Sequence, residues 1–133
     1  MIAGVIDTHA IIWHIYADKR LSATALAFLN NAASQSNQIA ISSISFIEIV
    51  YLIEKGRIPA ETFTRIANKL VSPKPAFVEF AVDLSIARSL SNVSSAQIPD
   101  MPDRIIAAAA LSLNVPLISR DGKIQLSTLT TIW

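Results

Sequence analysis

The sequence contains no cysteine. Disulfides, thiolate metal sites and cysteine nucleophiles are therefore excluded, and the chain suits a reducing compartment such as the cytoplasm. Histidine is scarce too, with only His9 and His14, so a histidine-rich zinc site is not expected. Charged residues make up only 16% of the chain, and the net charge is +1. Bulk electrostatics thus points to neither a nucleic-acid nor a membrane partner. The N-terminus lacks a basic stretch ahead of an apolar one, so no signal peptide is expected. No uncharged apolar run reaches the roughly 18–20 residues that span a bilayer. The longest candidate, residues 105–119, is interrupted by Asn114 and Pro116 and reads as a buried helix followed by a strand.

What the chain does have is apolar content: 52% of its 133 residues are hydrophobic. One domain, residues 1–133, is the expectation at this length, and the composition excludes general disorder. The excess over what one small core requires suggests subunit or partner surface. Short apolar segments at 2–6, 38–42, 76–80, 115–119 and 128–133 read as strands. Helices are expected at 10–16, 22–33, 43–55, 59–71, 81–90 and 102–113. Ser22 is placed to cap the second of these, Gly56 to end the third, and Pro102 to sit in the first turn of the last. The polar stretch 91–99 is irregular, with 92–98 the best candidate for a mobile loop. Strands alternating with helices predict an α/β fold, a three-layer sandwich with a central, mostly parallel sheet flanked by helices.

Against this background four acids stand out: Asp7, Glu48, Asp103 and Asp121 each adjoin or interrupt an apolar segment. A desolvated carboxylate needs a counter-charge or takes up a proton. Asp7 and Asp121 follow expected strands, whereas Asp103 lies in the first turn of a helix and Glu48 early in another. In a parallel sheet all four face the carboxyl rim, where ligands bind. Each acid alone also has a plain structural reading. Asp7 can cap the first helix, and Asp103 can complement a helix dipole with Asp100 as cap. Ser45 and Glu48 have capping-box spacing, and Asp121-Gly122 is a turn signal. Glu48 strains the structural reading most, because Phe46, Ile47, Ile49 and Val50 surround it in sequence.

Four converging carboxylates suit a hard divalent cation, Mg²⁺ or Mn²⁺, held by oxygen. Such ions clamp a phosphodiester, activate a water as nucleophile and stabilise the leaving oxygen. Without the ion the carboxylates repel one another and titrate as a unit.

The motifs around these acids resemble those of the PIN-domain ribonucleases, most closely the VapC toxins of prokaryotic toxin–antitoxin pairs. Val5-Ile-Asp-Thr-His-Ala-Ile-Ile-Trp13 is similar to the family's first acidic motif, and Ile41-Ser-Ser-Ile-Ser-Phe-Ile-Glu48 to its second. Asp100-Met-Pro-Asp-Arg-Ile-Ile-Ala-Ala108 looks like the third, and Val115-Pro-Leu-Ile-Ser-Arg-Asp-Gly-Lys-Ile124 like the fourth. Any one motif is weak; four in family order across residues 2–133 are specific. The resemblance implies a PIN-like fold and a metal-dependent endoribonuclease whose metal-binding acids are Asp7, Glu48, Asp103 and Asp121. Thr8, Asp100 and Ser119 match supporting positions. It further implies a homodimer and a small antitoxin whose tail occupies the active-site groove. Ala109 departs from the pattern, since many relatives carry threonine there.

Other residues invite a functional reading less strongly. Arg104 and Arg120 flank proposed ligand acids, and structural or electrostatic support is favoured over contacts to phosphates or antitoxin acids. Lys19, Arg20, Lys55, Arg57 and Lys123 can line an RNA path, but scattered cations are more often a solvated surface. Trp13, Tyr16 and Phe46 read as core or subunit contacts, and Trp133 as an anchor for the last strand. His9 and His14 are not expected as ligands. An alternative for the whole chain is a non-catalytic PIN-like metal-binding or interaction module. A phospho-acceptor receiver domain fits poorly, because Asp83 leads into a helix and does not end a strand.

Overall fold

Five short apolar segments pair side by side: Ile2–Ile6 (β1), Gln38–Ser42 (β2), Phe77–Phe80 (β3), Leu117–Ile118 (β4) and Thr131–Ile132 (β5). They form one sheet in the order β3-β2-β1-β4-β5, with every neighbouring pair parallel. Parallel pairing needs crossovers, and helices supply them: Thr8–Ile15 (α1), Ala23–Ser34 (α2), Ser43–Glu54 (α3), Thr62–Leu70 (α4), Leu84–Ser89 (α5), Met101–Leu113 (α6) and Gly122–Gln125 (α7). The computed structural model describes residues 1–125 and 129–133, with the side chains of Lys123 and Gln125 outside that description. The α/β, three-layer architecture expected from the sequence is the one observed.

Period-two geometry divides the strands between two cores. Val5 lies beside Ala40 and Leu117, and these three pack with α5 and the whole buried flank of α6. Ile6 lies beside Ile41 and Ile118, which pack under α1, α2 and α4. Both faces of the sheet are thus covered, which explains why its central strands read as continuous apolar runs. In α6 the six residues Ile105, Ile106, Ala107, Ala108, Ala109 and Ala110 are all buried, the small alanines letting the helix approach closely. Helix α3 gives Ile44 to one core and Ile49 to the other and touches both α1 and α6. It therefore lies across the rim between the layers, and this is what brings Glu48 to the sheet's carboxyl end.

The ends of the helices are chemically marked. Ser22 accepts from the Ala25 N–H at 3.0 Å and Ser42 from the Ile44 N–H at 3.3 Å. Gly56, with φ +68°, follows α3 in the left-handed region, and Asn114, with φ 53°, ends α6. Some boundaries differ from expectation. Helix α1 begins at Thr8, ahead of residue 10, because Asp7 caps it. Helix α4 begins at Thr62 and not at Pro59, whose carbonyl instead accepts from both the Thr62 N–H and its hydroxyl, at 3.1 and 2.7 Å. β4 and β5 are shorter than expected, and Thr128, the expected start of β5, lies outside the described residues. Helix α7 occurs where only a turn was expected, after Asp121. The stretch 92–98, expected as a mobile loop, buries Val93 and Ile98 in the core. Arg104 fastens it and the preceding 3₁₀ turn by donating to the Leu90 and Val93 carbonyls at 2.8 and 2.9 Å. Among the described residues no helix is long and apolar enough to cross a membrane.

Candidate active site

The chain runs from β1 outward to β2 and β3 on one side, then returns to place β4 and β5 on the other. The order reverses between β1 and β4, and a crevice opens at the carboxyl ends of strands at such a point. Asp7 leaves β1 there, and its N–H is bonded to the Ile118 carbonyl of β4 at 3.1 Å. Ser119 and Asp121 leave β4 beside it. A cavity of about 890 Å³ sits at this place, and Asp7, Glu48, Asp103 and Asp121 all line it, together with Asp100 and Thr8. Segments separated by most of the chain thus place these carboxylates on one wall system.

Each acid is held by different local chemistry. The Asp7 Oδ1 caps α1, accepting from the Ala10 N–H at 2.9 Å, and Asp7 is only 8% exposed. Burial raises the Asp7 pKa above its ordinary value; hydrogen bonds from Ser119 and the Ala10 N–H and the charge of His9 oppose this, while Asp121 adds to it. The Ser119 oxygen also accepts from the Asp121 N–H at 3.0 Å, so one buried side chain links the ends of the two acid-bearing segments. Asp121 in turn accepts from the Ile124 N–H at 3.2 Å, which starts α7. Asp100 caps α6 by accepting from the Asp103 N–H at 3.2 Å, and this leaves the Asp103 side chain in the first turn facing the cavity.

Glu48 is not a capping-box partner. The cap of α3 is Ser42, which puts Glu48 beyond the first turn. Its Oε1 lies 2.5 Å from the Thr8 Oγ1, which is also 2.9 Å from the Ser45 Oγ. Thr8 has one proton to donate, and the carboxylate is the stronger acceptor. Burial raises the Glu48 pKa; the Thr8 hydrogen bond and His9 offset part of this, while Asp100 and Asp7 add to it. Asp103 is pushed up to about 7, first by burial and then by repulsion from Asp100, Asp121, Glu48 and Asp7. The neighbouring carboxylates are therefore close enough to oppose the ionisation of Asp7, Glu48 and Asp103.

Among the described residues no three His, Cys, Asp or Glu side chains form a ready-made chelate. The donors are nonetheless all oxygen, partly buried and mutually repelling. That chemistry suits a hard cation that keeps part of its water shell and needs only one or two direct carboxylates.

The cleft also holds residues that the sequence did not assign to the site, Ile98 and Pro99 among them, and residues it read otherwise: His9 as no ligand, Trp13 as core, and Arg120 as electrostatic support. His9, Trp13, Ile98, Pro99 and Arg120 line the same cavity. His9 is exposed, and its charge favours the ionised forms of Asp7 and Glu48. Trp13 is buried as expected, with Trp133 edge-on at 5.8 Å. Phe46 packs edge-on against Phe63 at 5.4 Å, and Tyr16 meets the Thr62 hydroxyl at 2.8 Å. Lys55 and Arg57 are exposed near the far end of α3 and are not among the residues lining the cleft. The Lys123 side chain lies outside the described residues. Ala109 is buried in the core and does not line the cleft.

A 3-2-1-4-5 parallel sheet with a carboxylate-lined cleft at its reversal point defines a class: a doubly wound α/β protein with an acidic crevice at the carboxyl ends of its strands. Residues 4–126 match the PIN domain family, and the chain belongs to it. Its fold is similar to a VapBC2 structure from Rickettsia felis, bound to a DNA fragment from their promoter, with 18% identity and a TM-score of 0.68. A toxin–antitoxin complex from Klebsiella pneumoniae aligns with 22% identity and a TM-score of 0.62. In both cases the alignment covers 98% of this chain and 97% of the other. No curated protein matches.

Proposed function

We propose that this single-domain chain is a metal-dependent endoribonuclease, the toxin of a VapBC-type toxin–antitoxin pair, acting in the cytoplasm. The observation that carries the reading is the convergence of Asp7, Glu48, Asp103 and Asp121 on one cleft, with Asp103 raised to about 7 by its neighbours. In this reading those four acids hold Mg²⁺ or Mn²⁺. The bound ion supplies neutralising charge at the phosphate and activation of water. Thr8 orients Glu48, and Ser119 orients Asp7 while tying it to the Asp121 backbone. Asp100 fixes the first turn of α6 and with it the position of Asp103. Cleavage then adds the water oxygen to phosphorus and expels the sugar oxygen of the next nucleotide, which leaves with a proton.

The partner assignments belong to the same proposal. Both solved structures named above are toxin–antitoxin assemblies. Ile47, Val50, Tyr51 and Phe63 form exposed apolar surface on α3 and α4, which fits a homodimer or antitoxin contact.

The test is cleavage of single-stranded RNA by nuclease-free protein with Mg²⁺, with Mn²⁺ and with chelator. Metal-stimulated cleavage that Asp7→Asn and Asp103→Asn abolish, in variants that still fold, is the expected result. Full activity in either variant would sink the mechanism. Stable binding to a partner without cleavage of any RNA would favour the non-catalytic interaction module.

A further inference from the structure

Arg104 and Arg120 each adjoin a cleft acid in sequence, yet the fold gives them different tasks. The Arg104 guanidinium is spent on the Leu90 and Val93 carbonyls, and its Nε is buried without a hydrogen-bond partner. Arg120 is exposed and lines the cleft. Its guanidinium carbon lies 4.7 Å from the centre of the Trp13 ring. Among the described residues the salt bridge formed is Arg20 with Asp18, at 2.7 Å, so Arg120 pairs with none of the cleft carboxylates. A guanidinium serving only to balance those acids would take a two-point pair with one of them. Stacking on the indole instead holds it away from them by its face and leaves its N–H edge free.

In the ribonuclease reading the bound ion neutralises charge at the phosphate being cut, whereas the phosphates on either side still face a rim rich in carboxylates, and a fixed cation there favours docking of the RNA chain. Trp13 is only 6% exposed, which leaves no open face for a base. We propose that Arg120 is a substrate-binding residue that grips a phosphate of the RNA backbone beside the one being cut. This assignment rests on the ribonuclease reading above. Arg20 provides the internal comparison. It too lies over Trp13, at 5.2 Å, but its charge is taken by Asp18 and it does not line the cleft.

The experiment is steady-state cleavage of a labelled, mixed-sequence single-stranded RNA with Mg²⁺ over a series of NaCl concentrations. Arg120→Ala is expected to raise KM about tenfold with kcat little changed, and to lower the salt slope by about one phosphate contact. Arg120→Lys should restore the salt slope. Arg20→Ala should leave KM and slope at wild-type values, and the Mn²⁺ affinity of Arg120→Ala, measured by calorimetric titration, should stay close to that of wild type. Wild-type KM and slope in Arg120→Ala, while the parent protein cuts RNA, overturns the assignment and leaves the ribonuclease reading standing. Equal losses in Arg20→Ala and Arg120→Ala also overturn it, because the effect would then pass through Trp13 packing. A parent protein that cuts no RNA overturns the ribonuclease reading itself, and the phosphate assignment with it.

Discussion

Asp103 carries the sharpest residue-scale consequence. Its pKa in the fold is about 7, against an ordinary value of 3.8. Between those two values the folded state binds more protons than the unfolded one, so this group's contribution to stability is greatest at low pH and declines as pH rises toward 7. Metal-free Asp103→Asn should therefore melt at a higher temperature than the parent protein at pH 8, with the difference vanishing near pH 4. A scan of melting temperature against pH checks this, and an equal shift at both pH values would refute it. Thr8 offers a second residue-scale prediction. Thr8→Val keeps the shape but removes the hydroxyl that holds Glu48, and should reduce metal affinity or activity on the order of tenfold. Binding titrations with Mn²⁺ would read the change directly. Much of this scale was legible in sequence: the four acids, Thr8, Asp100 and Ser119 all lie at the cleft or bond to a residue that lines it. Arg120 was legible only as a neighbour of Asp121, with support of the acids favoured over a phosphate contact, and His9 only as a residue not expected to be a ligand, because an exposed polar side chain reads the same in sequence whether it faces solvent or a site.

At the scale of elements, a capping role does not take an acid away from the cleft. Asp7 caps α1, Asp100 caps α6 and Asp121 starts α7, and all three still line the cleft. A helix N-terminus at a strand's carboxyl end must be capped, and an acid cap there also faces the ligand crevice. The two roles separate by substitution. Asparagine caps as well as aspartate, so Asp7→Asn should keep the stability of α1 while ending cleavage. Asp7→Ala should end cleavage and also lose about 1 kcal/mol from the missing cap. Denaturant melts of the two variants, beside their activities, would show the split. Glu48 has no such double role, since Ser42 caps α3. Its apolar sequence neighbours marked it as exceptional, and that was the more informative local signal.

For the whole molecule, the acids and the metal-free fold oppose each other. Burying carboxylates together at the sheet's reversal point costs stability, which a divalent cation held there, as the proposed function requires, would restore. Adding Mg²⁺ or Mn²⁺ should therefore raise the melting temperature, and more at pH 8 than at pH 5, where protonation of Asp103 already relieves part of the repulsion. Equal stabilisation at both pH values would argue against cation binding at these acids. The surrounding cores tolerate that cost because both sheet faces are filled. Leu117→Ala, in a strand of only two residues with no exposed area, should cost about 2–5 kcal/mol by denaturant melt.

The chain's own order of residues determined which segments are strands and which are helices, and which acids lie at their ends. Hydrophobic periodicity, caps and breakers act over a few residues and can be read locally. Strand order cannot be read that way, because it depends on how segments far apart in sequence share two covered faces. Only the tertiary structure put β4 beside β1, laid α3 across the rim and stacked Arg120 on Trp13. Those placements gathered four carboxylates from distant segments into one cleft, in which the others raise the cost of ionising Asp103.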